Sequence, residues 1–327
     1  MKRTVIQITG FIIMLSLSIG FFQNPYTNSY VDDMKQTSVM VANYQDDLYQ
    51  EIIDKKIEHE IAAQDAQIHK IWKAIPGYNG IEVDVDKSYE KMKKKGIFNE
   101  NLLIYRQIKP KVHLSDLPPE PIYRGHPDKP MVSFAINVAW GNEYIPNMLT
   151  TLNKHHVKAT FFLEGRWAKE NPEMAKMIVD AGHEIGNHSY RHPDMSKITS
   201  ASIREELAKT NDVIKATTEQ KVTLFAPPSG SFRKEVVDIA AEMDMKTILW
   251  TVDTVDWQKP QPHVLIERVV SKIHNGAIVL MHPTDPTDKS LEKLILLIKE
   301  KGYSFGSVSM LLDEERLNIN LRKESKE

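Results

Sequence analysis

Short apolar runs alternate with amphipathic segments between residues 131 and 314. The apolar runs, which we predict to be strands, are residues 131–138, 159–163, 184–187, 222–225, 246–252, 277–281 and 303–305. The segments between them have helical periodicity and are residues 144–155, 167–181, 200–217, 233–242, 262–274 and 289–300. Strands that alternate with helices in this way form parallel sheets. We therefore predict an α/β fold, either a barrel or a doubly wound sheet.

The N-terminus carries a different pattern. Lys2 and Arg3 precede a nearly uninterrupted apolar run over residues 5–22, which approaches the thickness of a bilayer. Residues 21–26 lack the small side chains of a cleavage site. We predict a signal anchor in residues 1–24, with a cleaved signal peptide as the alternative. Basic residues stay in the cytoplasm, so we expect an extracytoplasmic domain at the cell membrane, or a secreted one after cleavage.

The region between these parts, residues 30–113, is predicted to be helical with a small α+β unit. It has an amphipathic segment in residues 30–68, which is a stalk or a helix packed on its own domain, and a basic helix near residues 88–95. Residues 114–130 hold five prolines and predict an extended linker. Residues 315–327 form a charged tail.

Composition narrows the possible functions. A formal net charge of -2 argues against a nucleic-acid partner, which needs a concentrated basic face. The chain has no cysteine, which excludes disulfides and thiolate ligands. Any transition-metal site must therefore use His, Asp or Glu.

Candidate chemistry lies where the predicted strands end, as is usual in parallel α/β folds. His188 and His192 follow the third strand, and a tight turn or helix would let both bind one cation. His282 ends the sixth strand and Asp256 follows the fifth. Such a carboxylate fixes the tautomer of a histidine that acts as an acid. Structural roles remain the alternative for both pairs.

The order of these segments resembles the polysaccharide deacetylases of carbohydrate esterase family 4, the NodB-homology domain. The matching framework is Lys-Ala-Thr-Phe-Phe at residues 158–162 and Gly-His-Glu-Ile-Gly-Asn-His at residues 182–188. The motif-degenerate, sporulation-associated members from Bacillus-type bacteria are the most similar in character. The resemblance covers residues 131–314 and implies a distorted (β/α)7 barrel that removes N-acetyl groups from cell-wall or spore-wall glycan.

The resemblance also implies roles for individual residues. In the family a divalent cation, often zinc, binds the attacking water, an Asp is the base and a His is the acid. His188 and His192 fall on the two metal-binding histidines. The other matches are His282 at the acid, Asp256 at the residue that orients it, and Leu280, Trp257, Pro228 and Trp140 at positions that contact substrate.

Three positions depart from the family pattern. Counted back without gaps from residues 158–162, the Thr-Phe-Asp-Asp-Gly motif becomes Ala-Ile-Asn-Val-Ala, a register that Tyr144 supports. The base position is therefore Asn137, and the third metal-ligand position is Val138. The Arg-Pro-Pro motif, whose arginine pairs with the base, reads Ala-Pro-Pro and begins at Ala226.

These departures predict impaired catalysis. An amide lacks useful basicity, and loss of a base costs roughly 10²–10⁴ in rate. Val138 leaves two protein ligands where a catalytic zinc site has three, so we expect a divalent metal, zinc if any, to bind weakly unless Asp194 or a bound ligand completes the site. Ala226 removes an arginine that would otherwise be a buried, unpaired charge.

Three functions remain open from the sequence. The first is a deacetylase-like protein with little or no catalysis that retains a groove for N-acetylated wall glycan. The second is a genuine but slow metal-dependent deacetylase. The third is a non-catalytic module that binds glycan or another protein.

Overall fold

The computed structural model describes residues 7–11, 14–15, 28–30, 34 and 46–317. Its contacts divide the chain into two compact units. The first comprises Met1–Ile61, Ile81–Arg106 and Asn320–Glu327, and the second comprises Ala62–Gly80 and Gln107–Ile319. Most of the apolar run at residues 5–22 and of the tail at residues 315–327 lies outside the described residues. Within the described residues, no helix has the length and apolar character to cross a membrane.

The elements of residues 46–317 are as follows. The strands are β1 (Gln67–His69), β2 (Lys73–Ile75), β3 (Gly80–Val83), β4 (Tyr105–Ile108), β5 (Met131–Val138), β6 (Thr160–Leu163), β7 (Glu184–Asn187), β8 (Leu224–Phe225), β9 (Lys246–Thr247), β10 (Val252–Asp253), β11 (Ala277–Met281) and β12 (Ser304–Phe305). The helices are α1 (Asp47–Lys56), α2 (Val85–Met92), α3 (Ile145–Lys154), α4 (Gly165–Glu170), α5 (Pro172–Asp180), α6 (Ser200–Thr218), α7 (Lys234–Glu242), α8 (Pro262–Val270), α9 (Asp285–Glu300) and α10 (Val308–Leu312).

The first unit is built around α1 and α2. Both helices begin at an aspartate whose side chain accepts a backbone N–H of the first turn, Asp46 for α1 and Asp84 for α2. Their apolar faces meet in a small core, where Tyr49 and Tyr89 pack edge to face with ring centroids 5.5 Å apart. The amphipathic segment predicted in residues 30–68 is therefore represented by α1.

The second unit contains a parallel sheet in the order β10-β11-β5-β6-β7-β8-β9, with β12 also paired to β5. Every strand predicted from residue 131 onward is present in it. The stretch predicted as one strand at residues 246–252 is divided into β9 and β10. In the stretch between them, Ile248 N donates to Phe225 O, whereas Thr251 N donates to Ile278 O. The two ends of the sheet thus meet along one continuous segment, and the sheet is curled as the family resemblance implies.

Side chains of β5 alternate between two apolar layers, as they do on any strand. Val132, Phe134, Ile136 and Val138 belong to the larger cluster, which includes the residues of α3 and α9. Met131 and Ala135 belong to the cluster shared with Ala226, Ile248 and Ile278. The same alternation places Asn137 on the inner side of the curled sheet and Val138 on the helix side.

The proline-rich segment at residues 114–130 is not the extended linker that its composition predicts. Ile122 N donates to Thr247 O, Leu249 N donates to Ile122 O, and Arg124 forms a bridge to Ala277. The segment begins with a 3-10 helix at Leu114–Asp116, and beyond it the backbone groups of Ile122 and Arg124 pair with the sheet. Residues 107–130 and 62–80 therefore belong to the same unit as the barrel strands, which shifts the boundaries that we drew from the sequence.

Candidate active site

A cavity of about 410 Å³ lies at the carboxyl ends of the curled strands. Its walls combine three tryptophans, three histidines, three polar side chains and one leucine. They are Trp140, Trp250, Trp257, His188, His192, His282, Asn137, Ser229, Asp253 and Leu280. Most of the residues selected from the sequence are thus brought to one place by the parallel topology.

His282 and Asp256 form a closely bonded pair. Nδ1 of His282 lies 2.7 Å from Oδ1 of Asp256, and the backbone N–H of His282 donates to Oδ2 over 2.6 Å. Thr287 Oγ1 also donates to Oδ2, and Asp256 is fully buried. An ionised carboxylate can only accept, so Nδ1 of His282 carries a proton. The arrangement fixes the imidazole tautomer that an acid in this position needs.

Tryptophans border the acid pair. The ring of Trp140 stacks on the imidazole of His282 at 14° between planes, with centroids 5.4 Å apart. Trp140 is 45% exposed and Trp257 is 56% exposed, although such large aromatic side chains are usually well covered. Leu280 is buried and forms the apolar floor beside them. The cavity therefore presents aromatic faces of the kind that pack against sugar rings.

His188 and His192 are held on a tight turn rather than a helix. Their ring centroids are 5.0 Å apart, and the backbone of Ser189 and His192 is left-handed, with φ of 60° and 58°. Nδ1 of His188 lies 2.8 Å from the carbonyl oxygen of Ala226. A carbonyl only accepts, so Nδ1 carries the proton and Nε2 keeps its lone pair. That tautomer is the one that binds cations through Nε2.

Buried polar side chains fix this turn. Oε2 of Glu206 accepts the backbone N–H groups of Tyr190 and Arg191, each over 2.8 Å, and Oε1 accepts Nε of Arg191. Asn187 Oδ1 accepts the N–H of Ser189 over 2.8 Å. The strained backbone persists because these acceptors satisfy its N–H groups.

Burial keeps both turn histidines neutral. Desolvation, with a smaller repulsion from His192, lowers the pKa of His188 to about 3. Desolvation also lowers the pKa of His192 below its ordinary value. Uncharged imidazoles retain the lone pairs that a cation requires.

The base position is occupied by a buried amide. Asn137 is 3% exposed, and its Oδ1 has no hydrogen-bond partner among the described residues. Ala226 is buried in the inner apolar cluster, where the family has the arginine that pairs with the base. An unpartnered buried acceptor costs about 1–3 kcal/mol. The Asn137 side chain therefore has the shape of a carboxylate but carries no charge, and no arginine of the described residues lines the cavity beside it.

Val138, which the family resemblance places at the third metal ligand, does not face the cavity. Its side chain is fully buried in the apolar cluster on the helix side. Asp194, the acidic residue nearest in sequence, is exposed and is also outside the lining. Hydrogen bonds from Ser231 and Ser196 and the ammonium of Lys197 hold the pKa of Asp194 well below its usual range. Its oxygens are thus already engaged.

These donors do not fit a three-ligand catalytic metal centre. Across the described part of the chain, no three His, Asp or Glu side chains are grouped so that they could hold a metal ion. His188 and His192 provide two neutral imidazoles, and no carboxylate of a described residue is grouped with them. The prediction that Asp194 completes the site is not supported by its position.

The structure adds cavity residues that sequence reasoning missed. Asp253 lines the wall, with Oδ1 accepting the N–H of Val255 over 2.8 Å. Trp250 and Ser229 also line it. Pro228, which we expected to contact substrate, is buried outside the lining, and its neighbour Ser229 takes that place. Asp253 could have been selected from the sequence, because it is a carboxylate three residues before Asp256 at the end of the predicted fifth strand.

Comparison with known proteins agrees with this geometry. A sequence model of the polysaccharide deacetylase family matches residues 124–248. The peptidoglycan-N-acetylmuramic acid deacetylase PdaA of Bacillus subtilis is 32% identical over 203 residues, which cover 60% of this chain and 77% of PdaA. The chain belongs to the polysaccharide deacetylase family. Within that family it is 56% identical to the YlxY protein of Bacillus subtilis, over 97% of this chain and 99% of YlxY.

Solved structures of polysaccharide deacetylase relatives point the same way. A pseudoenzyme of carbohydrate esterase family 4 from Bacillus anthracis is 58% identical to this chain, with a TM-score of 0.79, and the match covers 84% of this chain and 98% of that one. A mutant of that pseudoenzyme with restored enzymatic activity matches with a TM-score of 0.78 and 57% identity, over 83% of this chain and 99% of that one.

The geometry around His282 and Asp256 is that of a positioned proton donor. The His282–Asp256 pair is positioned to hold and donate a proton at Nε2. Residue 137 has no carboxylate that could remove a proton from water. An amide has no useful basicity, so Asn137 cannot act as a general base.

Proposed function

We propose that this protein is a polysaccharide deacetylase-like protein with impaired catalysis, which binds N-acetylated cell-wall or spore-wall glycan. The observation that carries the proposal is the buried Asn137 amide, whose Oδ1 has no described partner at the position of the catalytic base. The pseudoenzyme and PdaA relatives support it, since one has lost its activity and the other acts on peptidoglycan.

Several losses in the chain reinforce one another. Without a carboxylate at Asn137, water at the site keeps its proton at neutral pH. Without a ligand at Val138, a divalent cation such as zinc binds weakly to His188 and His192. With Ala226 in place of the family's arginine, residue 226 supplies no positive charge to position 137, where a carboxylate base would have paired with it. Once the base carboxylate is absent, an arginine beside that position would be a buried, unpaired charge, so its replacement by alanine removes a destabilising group. Because the changes are compatible with one another, we propose that catalysis is lost and not merely reduced at one step.

Binding of glycan is supported by the cavity walls. Trp140 and Trp257 offer large exposed aromatic faces, and aromatic groups bury the apolar face of a sugar ring. Asp253 adds a carboxylate that can accept a sugar hydroxyl. Leu280 supplies an apolar contact for an acetyl methyl group.

The test uses the purified protein with zinc or cobalt and N-acetylglucosamine oligomers. We expect essentially no acetate release, together with sedimentation of the protein with purified peptidoglycan. Turnover at the level of ordinary family members would overturn the impaired-catalysis part. Failure to sediment with peptidoglycan or to bind chito-oligomers would overturn the glycan part and favour a protein-binding scaffold.

The intact acid pair favours one second candidate, a genuine but slow metal-dependent deacetylase. In that case residual acetate release depends on proton donation by His282. A His282→Ala change would then abolish the release, whereas persistence of the same slow rate would eliminate this candidate.

We also propose that the protein acts outside the cytoplasm at the cell membrane. Support comes from the two basic residues and the apolar run at residues 5–22. Cell fractionation with and without protease treatment of intact cells tests it. Recovery of a protease-resistant cytosolic protein would contradict the proposal.

A further inference from the structure

A compact basic turn follows α2 in the first unit. We define the basic turn as residues 91–97, Lys-Met-Lys-Lys-Lys-Gly-Ile. The described residues of this unit carry eight Lys and Arg against eleven Asp and Glu, yet five of the eight cations lie within residues 87–95. The charge of an otherwise acidic unit is thus gathered at one place.

Three of these five lysines form no ion pair with the residues that the structure describes. Lys87 pairs with Asp84 over 3.0 Å, and Lys93 pairs with Glu90. Lys91, Lys94 and Lys95 are exposed and form no ion pair with any described residue. Like charges placed this close repel one another, so the turn is held at an electrostatic cost.

Stabilisation of the helix end does not account for the cluster. A cation near a helix C-terminus interacts favourably with the macrodipole, and Lys91 already lies in the last turn of α2. Two of the terminal carbonyls also have backbone partners, because Lys93 N donates to Tyr89 O, and Lys95 N and Gly96 N donate to Met92 O. Lys94 and Lys95 therefore add charge where the helix needs none.

An exposed apolar residue stands at the end of the turn. Ile97 is 72% exposed, whereas the next residue, Phe98, packs against the core of the unit with Lys55 Nζ 4.2 Å from its ring centroid. Gly96 supplies the left-handed φ of 64° that projects the turn. Phe98 thus anchors the loop while Ile97 is held in solvent beside the unpaired ammonium groups.

We propose that the basic turn docks on an anionic lipid bilayer. Clustered lysines are attracted to anionic headgroups, and an adjacent isoleucine gains free energy by entering the acyl boundary. A soluble polyanion would use the charges but not the isoleucine, so the combination favours a lipid surface. This proposal does not depend on the glycan function, nor on whether residues 5–22 are retained.

The absence of cysteine permits a site-specific test on the full chain. Asn101 is exposed in the short helix Glu100–Leu102, and Asn101→Cys provides a single attachment point for a nitrobenzoxadiazole fluorophore. The labelled protein is mixed with vesicles of neutral phosphatidylcholine and with vesicles containing phosphatidylglycerol. An inserted N-terminal segment would attach the protein to both kinds, so only the response of the label reports docking of the turn.

We expect the emission to rise and shift to the blue on anionic vesicles alone, and to revert at high salt because the attraction is screened. Replacing Lys91, Lys94 and Lys95 with glutamine should weaken docking by roughly a hundredfold, and Ile97→Ser should weaken it further. The matched control replaces the exposed Lys215, Lys272 and Lys301 of the second unit with glutamine, and it should leave docking unchanged.

Equal responses on neutral and anionic vesicles would overturn the proposal. The proposal would also be overturned if the lysine variant of the basic turn and the control variant of the second unit lost the same amount of vesicle docking while their circular dichroism spectra stayed unchanged. Competition by soluble polyphosphate combined with insensitivity to Ile97→Ser would assign the turn to a polymer instead of a bilayer.

Discussion

The carbonyl oxygen of Ala226 accepts the Nδ1 proton of His188 over 2.8 Å. The resemblance places Ala226 at an arginine of the family motif, and its backbone carbonyl sets the tautomer of His188 whatever the side chain. The turn that carries His188 and His192 therefore keeps its imidazole tautomer although no carboxylate stands at Asn137 or Val138. Loss of catalysis here is local to a few side chains.

Restoring those side chains should restore turnover. We expect Asn137→Asp alone to give little activity, because the new carboxylate would lack its arginine and the metal its third ligand. The triple variant that adds Val138→Asp and Ala226→Arg should raise acetate release by about 10²–10⁴. This gain requires that the new carboxylate at residue 138, at the end of β5, turns out of the apolar layer that Val138 occupies and toward His188 and His192. Acetate is measured on N-acetylglucosamine oligomers with zinc present.

Two controls accompany this experiment. Adding His282→Ala to the triple variant should remove the gain. Val138→Asp should also cost about 3 kcal/mol or more of unfolding free energy, because it puts a carboxylate in an apolar layer, whereas Val138→Ala should cost less. A folded triple variant with no acetate release would show that more than these positions is missing.

Glu206 should be essential to the histidine turn. Glu206→Ala leaves the backbone N–H groups of Tyr190 and Arg191 without their buried acceptor, which should cost about 3 kcal/mol of unfolding free energy. The imidazole NMR signals of His188 and His192 should broaden as the turn loses its fixed conformation. Urea unfolding gives the energy. Exposed Glu205 is the matched control. If Glu205→Ala lowered the free energy of unfolding as much, the hydrogen bonds of Glu206 to the turn would not explain the loss.

Stability should decline in mild acid because of buried histidines. Burial, with repulsion from Lys158, lowers the pKa of His183 to about 4, and burial lowers that of His188 to about 3. Histidines of the unfolded chain have a pKa near 6.5, so between pH 6.5 and pH 4 the unfolded state binds more protons than the folded state. The free energy of unfolding is therefore undiminished above about pH 6.5 and declines as the pH falls toward 4. Between pH 6.5 and pH 4, each histidine lowers the free energy of unfolding by about 3 kcal/mol.

The measurement is urea unfolding at pH 7.5 and pH 5. His183→Gln should reduce the difference between the two, and His263→Gln, at an exposed position on α8, should not. If His183→Gln leaves the change in the free energy of unfolding between pH 7.5 and pH 5 as it is, other groups cause the acid sensitivity.

The cavity tryptophans should control glycan binding. Trp140→Ala and Trp257→Ala remove aromatic faces beside His282, and each should weaken binding of chito-oligomers about tenfold, because stacked aromatic contacts contribute on the order of 1 kcal/mol. Titration calorimetry measures the affinity. Trp72, outside the cavity and packed on Tyr123, is the control position. Equal losses at all three positions would indicate general destabilisation.

Much of the fold followed from local patterns. Strands β5, β7 and β11 were predicted with the bounds that the structure has, because continuous apolar runs and helical periodicity are properties of neighbouring residues. The paired ends of parallel strands then brought His188, His192, Asp256 and His282 together. The proline-rich segment was misjudged, since composition reports extended backbone but not what that backbone pairs with.

The sequence by itself determined that residues 137, 138 and 226 carry no ionisable side chain, because residue identity fixes which groups can ionise. The family resemblance predicts two carboxylates and an arginine there. Only the tertiary structure decided that Asn137 faces the cavity and Val138 the helices, since every residue of β5 is buried and the apolar pattern marks neither face. It also decided that Asp253 and Ser229 line the cavity and that Glu206 fixes the turn. Those relationships join residues far apart in the chain, and packing alone sets their distances.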